Sequence, residues 1–165
     1  MTAETREQPA ADAATVSANE NLRRNEKKWT RGVMLAGWTA IPSILLEKQH
    51  ALSLTPTDLV IIFQLAKYWW YAEEPPFPSK ESIAVAIGIK PRQVQRRIAE
   101  MERLGYLKRT KRPGPYGTNT YQFDGLVEKL KEYAAEALQQ RAETADQKKA
   151  WRRSKRAHLL KKDGE

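Results

Sequence analysis

A segment in the middle of the chain, residues 79–107, constrains the fold most, because a capping residue, two glycines and a proline divide it at fixed intervals. Ser79 suits the N-cap of a helix of about two turns, and Gly88 suits the tight turn after it. Pro91 fits the first position of a longer helix, which Gly105 can end in the left-handed conformation. The pattern predicts a short helix, a tight turn and a longer helix.

Basic side chains are concentrated just after this turn. Nine of them, and only two acids, lie in the 23 residues from Lys90 to Arg112. On a helical wheel of residues 91–104, one face is apolar and holds Val94, Ile98 and Met101. The opposite face carries arginines with a small alanine between them: Arg92, Arg96, Ala99 and Arg103. An arginine-rich helix face followed by a basic hairpin suits duplex DNA.

The arginine face has the chemistry needed to read bases. Arginine pairs through a planar fork with guanine O6 and N7, and glutamine pairs with adenine N6 and N7. Because such helices enter the major groove near their N-terminus, we predict Arg92, Gln93 and Arg96 as base readers. Other nearby side chains are predicted to contact phosphates of double-stranded DNA, which fix register without reading sequence. They are Ser79, Lys80, Lys90, Gln95, Arg97, Arg103, Lys108, Arg109, Lys111, Arg112 and Tyr116.

A basic hairpin is predicted to follow the second helix. Tyr106–Lys111 and Asn119–Asp124 have strand character, with proline and glycine between them for the turn. We expect residues 106–124 to contact phosphates, and the loop Pro113–Thr118 either to lie along a phosphate strand or to enter a minor groove. Tyr116 at its tip either contacts a sugar or phosphate or packs on its own hairpin. The alternative for the whole basic segment is a solvated face with ordinary ion pairs such as Arg96–Glu100.

Residues 79–112 also carry a resemblance to a known family; they read SKESIAVAIGIKPRQVQRRIAEMERLGYLKRTKR. They resemble the winged helix-turn-helix domain of bacterial DNA-binding proteins, which include transcription regulators and plasmid or phage replication proteins. The most specific part is the spacing from Ile83 to Leu107, and the similarity extends from about Gly37 to Leu130. The resemblance implies that Pro91–Leu104 is the recognition helix and the hairpin is the wing. Lys90 stands at a cap position where the family often has serine or threonine.

The predicted fold class is mainly α with a small β-hairpin wing: a winged helix-turn-helix domain plus a C-terminal helix. We expect a disordered N-terminal arm at residues 1–28 and the winged helix domain at 29–124. A C-terminal helix is expected at 125–145 and a basic tail at 146–165. Within the domain, residues 56–71 are predicted to form a capped helix.

Two features of the C-terminal region suggest partners. Apolar residues spaced by four, three and four predict a short coiled-coil-like seam and a possible homodimer. The seam consists of Leu126, Leu130, Tyr133 and Ala137. The tail Lys148–Lys162 is either a solvated helix extension or a phosphate-binding arm, and it has too few apolar residues for a membrane-surface helix.

Composition narrows the function class. The formal net charge of +9 favours a polyanionic partner, nucleic acid before an anionic membrane surface. The absence of cysteine excludes disulfides, cysteine-bound zinc and thiol catalysis. With two histidines and no phosphate-binding loop, we expect no enzyme activity, no metal and no cofactor. Without an apolar run for a membrane span or signal peptide, we expect a cytoplasmic protein.

The expected function is sequence-specific binding of duplex DNA by a transcription regulator. A plasmid or phage replication or partition protein would use the same DNA face, but a further domain for replication partners would not fit into 165 residues. A third hypothesis is a winged helix used as a protein-interaction scaffold. In that case changes to Arg92, Gln93 and Arg96 would leave function intact, and changes to the helix at Leu126–Leu138 would abolish it.

Overall fold

A computed structural model of the chain describes residues 20–113 and 117–162, with side chains described up to Lys155. Two compact units divide at Ala40 and Ile41. In the first unit, residues 20–29 form helix α1 and Arg31–Leu35 form α2, which has no buried residue. The arm predicted to be disordered is therefore helical from residue 20; its first 19 residues lie outside the described part.

The second unit has the predicted winged helix-turn-helix architecture, so the expected fold class is confirmed. Five helices and a two-stranded antiparallel hairpin follow one another along the chain. Their bounds are α3 Ser43–Glu47, α4 Pro56–Ala66, α5 Lys80–Ile87, α6 Pro91–Arg103, β1 Lys108–Lys111, β2 Asn119–Gln122 and α7 Asp124–Lys162.

Helix α4 begins with a reciprocal cap. The Thr55 hydroxyl accepts a hydrogen bond from the Asp58 backbone N–H, and the Asp58 carboxylate accepts one from the Thr55 N–H at 2.7 Å. The helix ends at Ala66, earlier than the predicted residue 71. The chain leaves the helix there and Trp69 stacks on Phe123, with ring centroids 5.3 Å apart. A tertiary contact thus overrides helical periodicity.

Helices α5 and α6 follow from local rules. The Ser79 hydroxyl accepts from the Ser82 backbone N–H at 3.0 Å and caps α5. Gly88 ends α5 in the left-handed region, at φ 72°. In α6 the cap is one-sided: the Gln93 amide oxygen accepts from the Lys90 N–H at 3.0 Å, while Lys90 offers no side-chain acceptor.

The wing, residues 106–124, pairs Lys108 with Gln122 and Lys111 with Asn119. Both strands are shorter than the predicted ones. The Tyr121 N–H donates to the Pro76 carbonyl at 2.9 Å, so the loop before α5 lies against the outer side of β2. The wing is thereby attached to the helices along one edge.

One apolar core holds these elements together. The core contains residues of helices α3 to α7, together with Leu107 just before β1 and Tyr121 and Phe123 in and just after β2. Val94, Ile98 and Met101 of α6 are each at most 1 % exposed, as the helical wheel predicts. Burial of this side fixes which face of α6 points outward.

Helix α7 runs without interruption through the predicted boundary at residue 145. It starts against the turn after α6. The Leu126 N–H donates to the Tyr106 carbonyl at 3.1 Å, and a Cβ on Gly125 would lie 1.8 Å from the carbonyl oxygen of Gly105. The start of α7 is therefore fixed by direct backbone contact.

The predicted dimer seam needs correction, because its leucines face the core of their own chain. Leu126 and Leu130 are buried in that core, and Tyr133 packs against it. Only Ala137 lies at the margin, beside α3. Because Leu126 and Leu130 belong to the core of their own chain, this stripe is not an open surface on which a second copy could pack.

Within residues 20–113 and 117–162, none of the helices combines the length and apolar character needed to cross a bilayer.

Candidate nucleic-acid interface

The outward face of α6 forms one wall of a groove of about 880 Å³, and the start of α5 forms the other. Arg92, Gln93 and Arg96, the three predicted base readers, line this groove together and are exposed. Ala99 lies beside them without a long side chain. The structure brings the predicted base readers onto one accessible surface.

Gln93 is not entirely free on that surface. Its amide oxygen caps the backbone N–H of Lys90, while its amide nitrogen is left to donate. Bidentate adenine recognition needs both atoms. Gln93 would have to give up the cap, at a cost of about 1 kcal/mol, before it could pair with adenine in this way.

Arg97 lies elsewhere than the sequence suggests. Its guanidinium donates from Nε at 2.7 Å and from Nη2 to the two carboxylate oxygens of Asp58, across the α4–α6 packing. The side chain of Arg97 is 21 % exposed, and that of Asp58 is 1 % exposed. The predicted phosphate contact is therefore corrected to a bidentate ion pair that fixes α6 on α4.

The environment of Asp58 keeps its carboxylate charged. Burial raises its pKa, but hydrogen bonds from Arg97 and Thr55 outweigh burial, and the pKa lies below its ordinary value. Sequence identifies Asp58 as a helix-start acid. Its pairing with a residue 39 positions away carries no local signal.

Two further predicted phosphate contacts have acidic neighbours. Arg103 donates to Glu100 one turn away, on the exposed side of α6. The Glu102 carboxylate accepts a hydrogen bond from the backbone N–H of Arg109 at 3.1 Å and forms an ion pair with its guanidinium, also at 3.1 Å. Glu102 thus joins the end of α6 to β1, a role that the sequence did not reveal.

A second hollow, of about 600 Å³, lies between the start of α5 and the wing. Five predicted phosphate contacts line it: Ser79, Lys80, Gln95, Arg109 and Lys111. The hydroxyl oxygen of Thr118 is buried there without a hydrogen-bond partner among the described residues. The hollow combines cations and neutral donors, which suit phosphate oxygens, with one acid, Glu81, whose carboxylate lies 3.9 Å from the Lys80 ammonium.

The remaining wing residues differ in accessibility. Lys108 and Lys111 are exposed. The Arg112 guanidinium lies 4.1 Å above the ring centre of Phe77, a cation–π contact that holds it against the loop before α5. Tyr116, predicted at the tip, lies outside the described residues.

Among the side chains described, no three of the histidine, aspartate and glutamate type lie close enough together to hold a metal ion.

The residues that form this site lie within or next to a segment that matches a known protein family. Residues 52–107 match the family described as "Helix-turn-helix domain". The match spans α4, α5 and α6, and confirms a helix-turn-helix domain in this part of the chain. The chain has no match among the curated proteins.

Three solved structures are similar at low identity. The YusO protein from Bacillus subtilis is 16 % identical, with 79 % of this chain and 85 % of that chain covered and a TM-score of 0.38. NadR in complex with 4-hydroxyphenylacetate is 16 % identical, with 89 % and 85 % covered and a TM-score of 0.39. The disulfide form of AbfR is 13 % identical, with 79 % and 92 % covered and a TM-score of 0.36. TM-scores this low support no conclusion about the structure or function of this chain.

Proposed function

We propose that the protein binds duplex DNA sequence-specifically as a transcription regulator, with α6 in the major groove and the wing on phosphates. The proposal rests on the exposure of Arg92 and Arg96 and on their lack of ion-pair partners in the part of the chain that the structure describes. Both are exposed on the groove beside α5, and neither has an ion-pair partner among the described residues. Arg97, Arg103 and Arg109 each have one.

The unpaired state of these two arginines has a physical consequence. When a guanidinium must break an ion pair with a carboxylate to reach a base, the free energy of the lost ion pair reduces the net gain from the base contact. Arg92 and Arg96 lose no such partner, so each can contribute the full discrimination of a bidentate guanine contact, about 1–3 kcal/mol. Ala99, about one turn after Arg96 on the same face, allows the helix to approach the groove floor.

Phosphate contacts are proposed for a smaller set than the sequence suggested. Exposed lysines and the hollow between α5 and the wing supply them, while Arg97 is removed because Asp58 holds it. The proposed set is Ser79, Lys80, Lys90, Gln95, Lys108, Arg109, Lys111 and Arg112, with Arg103 at the margin. Contacts of this kind set position and affinity but leave sequence preference to α6.

Selection of bound sites from random duplexes tests the proposal. We expect the wild-type protein to enrich one motif and Arg92→Ala to lose preference at particular positions of it. Lys108→Ala should weaken all sites about equally. The control is Lys131→Ala, whose lysine pairs with Glu128 on the outer side of α7 and should leave both properties unchanged. No enrichment of any motif by the wild-type protein would overturn sequence-specific binding.

The regulatory role needs its own test, because a replication or partition protein would use the same face. A promoter carrying the selected motif should change its output when the protein is present, and Arg92→Ala should abolish that change. Motif binding with no effect on the promoter would instead favour the replication alternative. A protein-interaction scaffold would tolerate Arg92→Ala in both assays.

A further inference from the structure

Helix α7 extends beyond its contacts with α3, which reach the Arg141–Glu47 pair at 3.8 Å and a hollow that Lys148 lines at its end. Tyr133 and Ala137 are half-buried, while every side chain from Leu138 to Lys155 is exposed. The helix itself continues to Lys162. At 1.5 Å per residue, the part beyond residue 138 is a rod of roughly 36 Å. We call residues 138–162 distal α7.

Charge is distributed unequally along α7. Near its start, Lys129 pairs with Glu132 at 2.5 Å and Lys131 pairs with Glu128 at 2.6 Å. From Lys148 to Lys162 the sequence has eight basic residues and no acid. Five of these basic side chains are described, and among them only Lys149 forms an ion pair, 3.6 Å from Asp146, while Lys148 lines a hollow that Glu47 of α3 also lines.

These five cations share one side of the helix. Lys148, Arg152 and Lys155 follow one another at intervals of four and three residues, and Lys149 and Arg153 form a neighbouring row. At 100° per residue all five fall within an arc of about 160°. Like charges four residues apart repel each other, so the free helix is weakened along this side. A polyanion lying along the arc would remove that repulsion.

We propose that distal α7 is a second contact to duplex DNA, independent of sequence and separate from the surface of α6 and the wing. Charge complementarity favours the DNA backbone over other partners. A membrane-surface helix needs an apolar face, and the only described large apolar residue after Leu138 is Trp151, whose ring centre lies 5.1 Å from the Lys155 ammonium at the edge of the arc. A second copy packed along this side would bring two basic arcs together, which like-charge repulsion opposes. The contact does not depend on whether α6 reads sequence.

Salt dependence on a duplex of random sequence tests this contact in the full-length chain. The test variant combines Lys148→Gln, Arg152→Gln and Lys155→Gln. Each lost phosphate contact lowers the slope of log affinity against log salt by roughly 0.9, so we expect a slope smaller by roughly 2–3. The preference for the selected motif over other sequences should stay unchanged.

A matched variant controls for net charge. Lys129→Gln, Lys131→Gln and Arg141→Gln also remove three positive charges from α7, but from positions before the arc of Lys148–Lys155, where each is paired with an acid. This variant should keep the wild-type slope. Equal slopes for the two triple variants would overturn the proposal. The proposal would also fail if the variant at Lys148, Arg152 and Lys155 bound DNA like the wild type but no longer bound anionic vesicles, or no longer formed a dimer in light scattering. If the wild-type protein prefers no motif but its slope of log affinity against log salt still depends on distal α7, only the proposed function is refuted.

Discussion

At the scale of single residues, Arg97 shows how packing decides what a basic side chain does. It lies in the most basic part of the sequence and next to an exposed arginine. Its position on the helix turns it towards α4, where it meets the buried carboxylate of Asp58. Arg96, one residue earlier, points into the groove. Neighbouring arginines of one helix therefore have different functions, one structural and one proposed for DNA.

Salt dependence distinguishes these functions. Arg97→Gln should destabilise the fold but leave the slope of log affinity against log salt unchanged, because no phosphate contact is lost. Lys108→Gln should lower the slope by roughly 0.9 and leave stability nearly unchanged. Binding is measured well below the melting temperature of both variants. A lower slope for Arg97→Gln would restore that residue to the phosphate contacts.

Acid stability tests the Asp58–Arg97 pair directly. Because the pKa of Asp58 is lowered in the folded state, its stabilisation is complete above its ordinary pKa of about 4 and is lost as pH falls through the lowered value. At neutral pH, Asp58→Asn should reduce the free energy of unfolding by about 3–5 kcal/mol, as expected when a buried pair loses one partner.

Urea denaturation at a series of pH values measures this effect. The difference in unfolding free energy between wild type and Asp58→Asn should be constant near neutrality and should shrink below about pH 4. A difference that does not change with pH would mean that the charge of Asp58 contributes nothing to stability.

At the scale of elements, the start of α7 depends on a glycine for steric reasons. Gly125→Ala would place a methyl group 1.8 Å from the carbonyl oxygen of Gly105, so the backbone must move. We expect a loss of about 3 kcal/mol or more, among the larger effects of single substitutions. Thermal unfolding followed by circular dichroism measures it.

Gly32→Ala in α2 is the control, since a Cβ there meets nothing within 4 Å. Alanine is the better helix former by about 0.5–1 kcal/mol, so this change should not lower the melting temperature. Equal melting temperatures for the two glycine variants would contradict the close backbone contact at Gly125.

The continuity of α7 has a measurable length. The chain has no cysteine, so Leu138→Cys and Lys155→Cys place two spin labels without background. A continuous helix predicts a narrow distance distribution between the backbone positions centred near 26 Å. A flexible tail of the same length would give a broad distribution, and that result would contradict the rod.

At the scale of the whole molecule, the sequence predicts features that depend on nearby residues. Ser79, Gly88 and Gly105 place α5, the turn and the end of α6 because caps and left-handed glycines act within one helical turn. The apolar wheel of α6 also predicts its outward face, since burial of Val94 and Ile98 leaves only one side free.

Features that depend on distant parts of the chain could not be predicted in the same way. The spacing of Leu126 and Leu130 is equally suited to a partner helix and to the core of their own chain, and only the fold decides between them. Trp69, just after the end of α4, stacks on Phe123 more than fifty residues further along the chain, and no local pattern predicts this contact. For the same reason the sequence leaves the pairing of Arg97 open, because its acid lies on another helix.

The most direct test of base reading by α6 combines a protein change with a DNA change. In the selected motif, each guanine is replaced in turn by 7-deazaguanine, which removes the N7 acceptor. At one guanine we predict that wild-type affinity falls roughly fivefold or more, as expected for a lost hydrogen bond of about 1 kcal/mol or more, while Arg92→Ala loses nothing further. If the affinity losses from 7-deazaguanine and from Arg92→Ala are additive at every guanine, Arg92 contacts none of these guanines, and base reading by Arg92 is contradicted.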